Sequence, residues 1–403
     1  MAEEVLRIGF DLTSIWRPPT GIFRYAAEVA KHLLLLEQSE PRIRYVLFFS
    51  QEIHPDFVPL QDTFEAIIFP TRNELLIKQF WFPFTLPRLR LDEMHYPSFP
   101  PPYLRLFGPR TSMTLHDAGP WRFAHTLTLH GRLYFRTLLK RGMQKCDRVI
   151  TVSEHARFEA CHFLGKQYLS KCFVIPEAAR PAFAIPCSES FKQEVRTRFQ
   201  LPDRYLFAVS TVEPRKNLVT LLDAYSRLKK QLGSECPPLI IVGRKGWNCD
   251  DIFGYMTELD GMVRFPGHVS DEELIALYQM ATCLVFPSLY EGFGLPVLEA
   301  MMAGCPVISS NTSSLPEVAG PAALLVDPLN AEEITTAMYR VIHDEDMRLQ
   351  MIQDGRDWVS RFSWEQTALA TQEVLASVSM PKTRRNRISA SESARPALTE
   401  VPF

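Results

Sequence analysis

The sequence predicts an α/β protein with parallel sheets, divided into two domains. Two observations carry that prediction. Short apolar runs such as Cys283-Leu284-Val285-Phe286 recur along the chain, each followed by a loop and a helix-periodic stretch. Runs of that kind mark strands buried on both faces. The chain is 403 residues long, more than one ordinary core supports. Hydrophobic content of 46% and charged content of 22% are globular values. A net charge of -2 argues against a general nucleic-acid binder. The eight cysteines show no C-x-x-C and read as reduced thiols of a cytoplasmic protein. The start, MAEEVLRIGF, reads as a first strand and not as a signal peptide. No apolar stretch approaches the ~20 residues that span a bilayer. The expected location is therefore cytoplasmic, with any membrane contact peripheral, on the inner face.

The first half begins with a strand at Leu6 to Phe10. A helix from Gly21 to about Glu37 follows, its apolar face set by Tyr25, Val29, Leu33 and Leu36. Arg24 faces either an anion or solvent. Arg44 to Phe49 and Ala66 to Phe69 read as strands, and Asn73 to Arg90 as a helix interrupted by Pro83 and Pro87. The segment from Phe80 to Phe107 is dense in aromatics, prolines and arginines. It reads as core packing and a proline-stiffened loop, or else as a contact with a lipid-linked ligand or membrane. Arg110 to Leu115 is a strand ending in His116-Asp117. That pair reads as ligand-facing or as locally satisfied. A basic helix is expected from about Leu129 to Lys145, either solvated or lying on anionic lipid. Asp147 to Val152 is a strand before a helix capped by Ser153. Cys172 to Pro176 is the last strand of this half.

The second half opens with a strand at Tyr205 to Ser210. It leads to Glu213-Pro214-Arg215-Lys216-Asn217 and a helix from Leu218. Adjacent Arg215 and Lys216 at a strand's carboxyl end suit a pyrophosphate: arginine grips oxygens bidentately and lysine adds a compact charge. Leu239 to Val242 is a strand before Gly243, and Ser270 caps a helix beginning Asp-Glu-Glu. Thr282 to Glu317 reads as strand, glycine loop, helix and strand. Gly292 and Gly294 let backbone approach a ligand, and Pro296 suits a first helical turn. Free amides at that helix start favour anions. Glu299, placed in the first turn, would accept hydroxyl hydrogen bonds from a ribose, or it merely offsets the helix dipole.

Resemblance narrows this reading. Glu291-Gly292-Phe293-Gly294-Leu295-Pro296-Val297-Leu298-Glu299 resembles the Glu-x7-Glu signature of retaining family-4 glycosyltransferases. The likeness extends from about Leu6 to Gln366 and is strongest from Val209 to Pro328. It implies the GT-B fold, two Rossmann-like domains facing across a cleft. The expected boundaries are an acceptor-side domain at 1–180, a linker at 181–200, a nucleotide-sugar domain at 201–362, a crossover helix at 363–379 and a disordered tail at 380–403. In that family the second Glu holds the ribose and the first contacts the donor sugar. The Arg-Lys pair binds the diphosphate, and a histidine in a T-x-H-D element lies beside the sugar. Carried over, Arg215, Lys216, Glu291 and His116 carry catalysis. Gly292, Phe293, Gly294, Leu295, Glu299, Gly243, Val269 and Ser313 bind the donor. Gly21, Arg24 and Asp117 lie on the acceptor or sugar side. The T-G-I-G-R-Y element departs at Phe23, and Glu177-Ala178-Ala179 stands where the family often has Asn-Gly-Val.

The resemblance implies transfer of a hexose with retention, a donor phosphate oxygen taking the acceptor proton. No cofactor or metal is required, because Arg215 and Lys216 neutralise the phosphates. Asp344-Glu345-Asp346 reads as a helix cap. The motifs look most like the bacterial mannosyltransferase branch of O-antigen and related polysaccharide synthesis, so GDP-mannose is the first expected donor. A UDP-sugar remains open, as do a silent sugar-nucleotide binder and an epimerase. The acceptor is a saccharide, free or lipid-linked.

Overall fold

The computed structural model describes residues 5–16, 21–38, 42–98, 101–102, 108–123, 137, 140–246, 250–259 and 261–377. Grouped by contacts, residues 1–114, 145–150 and 368–403 form one unit, and 115–144 and 151–367 the other. That grouping differs from the expected division at 180. The strands themselves divide between two sheets in the interval from Val174 to Leu206.

The first sheet contains β1 (Leu6–Asp11), β2 (Ile43–Ser50), β3 (Glu65–Phe69), β4 (Glu93–Tyr96), β5 (Arg110–Leu115), β6 (Arg148–Thr151) and β7 (Cys172–Val174). Their order is β3-β2-β1-β4-β5-β6-β7. β1 pairs in parallel with both β2 and β4. The segment expected to be an interrupted helix is helical without a gap from Glu74 to Arg88, but its winding changes along the way: α at Glu74–Leu76, π at Ile77–Trp81, α again at Phe82–Thr85 and 3-10 at Leu86–Arg88. β4 lies in the stretch read as packing and loop. Its residues are all buried, and His95 is satisfied by the Ser112 and Thr114 hydroxyls at 2.9 and 3.2 Å. Most of the expected basic helix, and the tail from 380, lie outside the described residues.

The second sheet contains β8 (Leu206–Val209), β9 (Leu239–Val242), β10 (Val263–Gly267), β11 (Cys283–Phe286), β12 (Val307–Ser310) and β13 (Leu324–Val326). Its order is β10-β9-β8-β11-β12-β13, and every pair is parallel. From β8 the chain builds outward through β9 and β10, then returns to lay β11 on the other flank. The strand order therefore reverses between β8 and β11, where open α/β sheets place ligands. Helix Leu218–Leu232 buries Leu218, Leu221, Leu222, Tyr225 and Leu228. Together with helix Ala331–His343 these residues join one core with Leu239, Ile241, Val285 and Ile308 of the sheet. Each fully buried leucine contributes about 1.5–3 kcal/mol.

Local signals place the helix ends. Ser153 and Asp344 cap their helices with side-chain oxygens, as the sequence predicts, and Ser188 caps helix Glu189–Phe199 in the same way. Ser270 forms a complete capping box with Glu273 at the start of helix Asp271–Met280. Ser270→Ala is expected to destabilise that helix by about 1 kcal/mol, and Ser270→Gly by only a few tenths. Native-state hydrogen exchange at the Glu273 amide checks it: unchanged protection in the alanine variant contradicts the capping role.

Candidate functional site

The loops that leave β8 and β11 carry the chemistry, and both belong to the same contact unit. Backbone ties them: the Leu289 amide donates to the Arg215 carbonyl at 2.9 Å. Asn217 ties them again. Its side-chain amide donates to the Pro287 carbonyl at 3.0 Å and to the Pro328 carbonyl at 2.6 Å. Asn217 adopts a left-handed conformation at φ +58°, which asparagine tolerates better than most side chains.

Glu291 sits between the two cations. Arg215 Nη1 donates to its Oε2 at 3.0 Å and Lys216 Nζ to its Oε1 at 2.6 Å. Arg215 also donates to the Glu213 carboxylate at 2.9 Å and to the Tyr290 carbonyl at 3.1 Å. Burial alone would push the Glu291 carboxyl upward, but Lys216 and Arg215 prevail and hold it below the ordinary value of 4.5. Burial acts against the Arg215 charge as well. Glu291, Asp117 and Glu213 outweigh it, so the guanidinium is held more firmly protonated than usual.

The glycine loop is fixed from three sides. The Ser313 hydroxyl accepts from the Glu291 amide at 3.0 Å and lies 2.6 Å from the Glu291 carbonyl. Ser313 reaches this position at φ +62°, a strained conformation for a side-chain residue. The Ser314 hydroxyl lies 2.6 Å from the Phe293 carbonyl. The Ser153 hydroxyl donates to the Gly292 carbonyl at 2.6 Å. Gly292 is required by close approach, since a Cβ there would lie 1.8 Å from the His116 carbonyl oxygen. Gly243 has a similar reason: its Cβ would lie 1.8 Å from the Ser210 carbonyl oxygen. Gly294 is the residue before helix Leu295–Met302, and Phe293 packs edge-on against Phe362 at 6.2 Å.

His116 and Asp117 follow β5 and meet this loop through Gly292. His116 Nδ1 lies 2.9 Å from Glu177 Oε1. Asp117 accepts from the Gly119 amide at 2.9 Å, and the Ala118 amide donates to the Tyr290 hydroxyl at 2.8 Å. Arg215, Lys216, Glu291, Gly292, His116, Asp117 and Ser313 are therefore joined through one set of loops. Glu299 requires a correction. It is the fifth residue of its helix and so lies in the second turn, where side chains face the core as well as the loop. It is largely buried and accepts a hydrogen bond from the Tyr278 hydroxyl at 3.4 Å. Val269 is buried just before the capping box. Gly21 and Arg24 open helix Gly21–Glu37 in the other unit.

Sequence reasoning did not single out Glu213, Asn217, Tyr290 or Ser314, and it marked Glu177 only as a departure from the family pattern. Glu213 and Asn217 flank the cation pair in the motif already quoted, and that adjacency was the available signal. Nothing local marks Glu177 as the partner of a histidine 61 positions away. Asp344 caps its helix through the Met347 amide at 2.8 Å. Among the described residues no three His, Cys, Asp or Glu side chains gather as a metal site requires. A cavity of about 630 Å³ lined by Thr220, Asp223, Arg227, Tyr255 and Asn330 includes none of the site residues.

A carboxylate shared by two cations at the switch point, with backbone amides beside it, is an arrangement that can take up a phosphorylated ligand. Comparison with known proteins agrees. The family model described as glycosyl transferases group 1 matches residues 189–358. The O-antigen chain mannosyltransferase B of Escherichia coli is 31% identical over 385 residues, 91% of this chain and 98% of that protein. The serotype-specific mannosyltransferase WbdA of Escherichia coli is 31% identical over 230 residues, 56% of this chain and 28% of that protein. The crystal structure of Anabaena HepE in complex with UDP and glucose superposes with a TM-score of 0.69 at 16% identity, covering 93% of this chain and all of that one. The chain belongs to the group 1 glycosyltransferases, is an enzyme of that class and has the GT-B fold.

The electrostatics yield a pH signature. A carboxyl held below its ordinary value contributes stability that is present above pH 4.5 and lost as the pH falls through its lower, folded value. Glu291→Gln is therefore expected to cost about 2–4 kcal/mol at pH 7, a gap that narrows only below pH 4.5. Paired thermal-unfolding curves across pH check this. A gap that closes between pH 7 and 5 contradicts it.

Proposed function

We propose that this glycosyltransferase moves mannose from GDP-mannose to a saccharide hydroxyl with retention of the α configuration, in the synthesis of an O-antigen or related polysaccharide. The observation that carries the reading is the meeting of Arg215, Lys216 and Glu291 at the β8–β11 switch point. The relatives named mannosyltransferases supply the sugar.

In this reading the donor diphosphate takes up Lys216 and Arg215. Glu291, released from part of that pairing, accepts sugar hydroxyls. The acceptor oxygen bonds to the anomeric carbon as the bond to the phosphate oxygen breaks. The acceptor proton passes to the donor's phosphate, and GDP leaves. The protein contributes positioning and stabilises charge on the departing diphosphate. Glu299 holds the ribose from its second-turn position, and Gly292 to Leu295 offer amides to the sugar and phosphates. Arg215→Ala and Lys216→Ala are each expected to lower turnover about 10²–10³-fold. The assay follows GDP release and the anomeric proton of the product by NMR, with UDP-glucose and ADP-glucose in parallel. Wild-type turnover in either variant, an inverted product, or preference for another nucleotide contradicts the corresponding part.

The acceptor is read as lipid-linked. Leu76, Phe80 and Phe84 are exposed at four-residue intervals, and Leu75 is exposed next to the first of them. Arg88 and Arg90, also exposed, follow directly. Apolar side chains ending in arginines suit the interface of an anionic bilayer. No helix among the described residues is long and apolar enough to cross a membrane. Sedimentation with phosphatidylglycerol-containing vesicles is expected to carry the protein down, and Phe80→Ser with Phe84→Ser to reduce the bound fraction at least about 5-fold. Equal binding by both proteins contradicts the assignment.

A further inference from the structure

We propose that Glu177 is a positioning residue for transfer, holding the His116 imidazole with its proton on Nδ1 so that Nε2 is the ring's hydrogen-bond acceptor. This rests on the reading of His116 as a sugar-side residue.

The two residues come from distant parts of the chain. His116 directly follows β5, and Glu177 stands three residues beyond β7. The backbone before Glu177 is fixed twice. The Ile175 amide donates to the Thr151 carbonyl at 2.9 Å, and the Pro176 carbonyl accepts from the Thr367 hydroxyl at 2.8 Å. Pro176 itself locks φ. Ala178 and Ala179 after it are buried, so the segment packs through small side chains. Glu177 is only 4% exposed. Burying a carboxylate is costly unless it is paired, and the His116 imidazole at 2.9 Å is a partner it meets there.

A carboxylate only accepts hydrogen bonds, so Nδ1 donates. Isolated neutral imidazole favours the proton on the other nitrogen. Glu177 reverses that preference and turns the ring at the same time. The carbonyl of His116 presses on Gly292, so the ring departs from the backbone where the glycine loop touches it. An orienting carboxylate behind an imidazole is the arrangement by which enzymes fix a histidine's tautomer. It also accounts for an acid at the position where the family pattern has asparagine. Packing among buried alanines would not call for a charge there.

The test joins spectroscopy and kinetics on the full chain. Long-range ¹H–¹⁵N correlation of ¹⁵N-histidine-labelled protein reads the tautomer, with His116 assigned by its loss in His116→Asn. The wild type is expected to show Nδ1–H, and Glu177→Ala a majority of Nε2–H. With GDP-mannose as the probe, Glu177→Ala is expected to lower kcat about 10–100-fold with KM little changed. Glu177→Gln, whose side-chain oxygen still accepts from Nδ1, should retain most of the activity. The double variant with His116→Asn should be no slower than His116→Asn alone. Persistence of Nδ1–H in Glu177→Ala, or losses that multiply in the double variant, overturns the proposal. If Glu177→Ala does not fold, Glu177→Asn with the same two readouts decides. Wild-type turnover in His116→Asn would instead remove the role of His116, a result distinct from either tautomer outcome.

Discussion

The buried carboxylate of Glu291, shared between Arg215 and Lys216, is the interaction on which the rest of the site depends. Glu291 is only 7% exposed, and desolvation by itself would push its carboxyl upward. Two cations from the neighbouring loop keep it ionised. The same contact joins the loops after β8 and β11. Neither loop can shift without breaking an ion pair, the Leu289–Arg215 backbone bond or the Asn217 bridge. Ser313 and Ser314 then hold the Glu291 backbone, and Gly292 brings in the segment after β5. The candidate residues are thus held in place by contacts within the protein itself, which is what electrostatic preorganisation requires.

The cluster is not a plain basic patch. Arg215 faces Glu291 and Glu213 and feels Asp117, and Lys216 faces Glu291. An anion gains access to these cations only by exchanging with carboxylates already in place. A ligand bearing both phosphates and hydroxyls suits the exchange, because the displaced carboxylate needs donors of its own. A nucleotide sugar offers both, whereas inorganic phosphate offers few. In the proposed reading, selectivity comes from matching charge and hydroxyls together, beyond net attraction.

Much of this was legible along the chain, and particular residues show where legibility stopped. Ser153, Ser270 and Asp344 were readable as caps because capping acts over three residues. The Arg215-Lys216 pair and the Glu291–Glu299 spacing were readable because motif and loop coincide. β4 was missed: Glu93 and His95 interrupt its hydrophobic pattern, and the Ser112 and Thr114 hydroxyls of the adjacent strand help make His95 tolerable in the interior. Glu299 was placed one turn early, because the position of the first helical residue depends on how Gly294 enters the helix. The need for glycine at 292 was visible, but its cause, the His116 carbonyl, was not.

By itself the sequence determined the class of fold, the strand–loop–helix rhythm and the helix ends, and it pointed to Arg215, Lys216 and Glu291 as the candidate residues. All of these rest on periodicity, capping and motif, which operate over a few neighbouring residues. Only the tertiary structure decided that Glu291 closes on both cations, that Asn217 ties three loops, and that Glu177 stands behind His116. Those contacts join segments 61 to 111 residues apart. They exist because parallel strand order collects the loops at the carboxyl ends of a sheet's strands along one edge, including strands that are not neighbours, and no local pattern records which loops will meet.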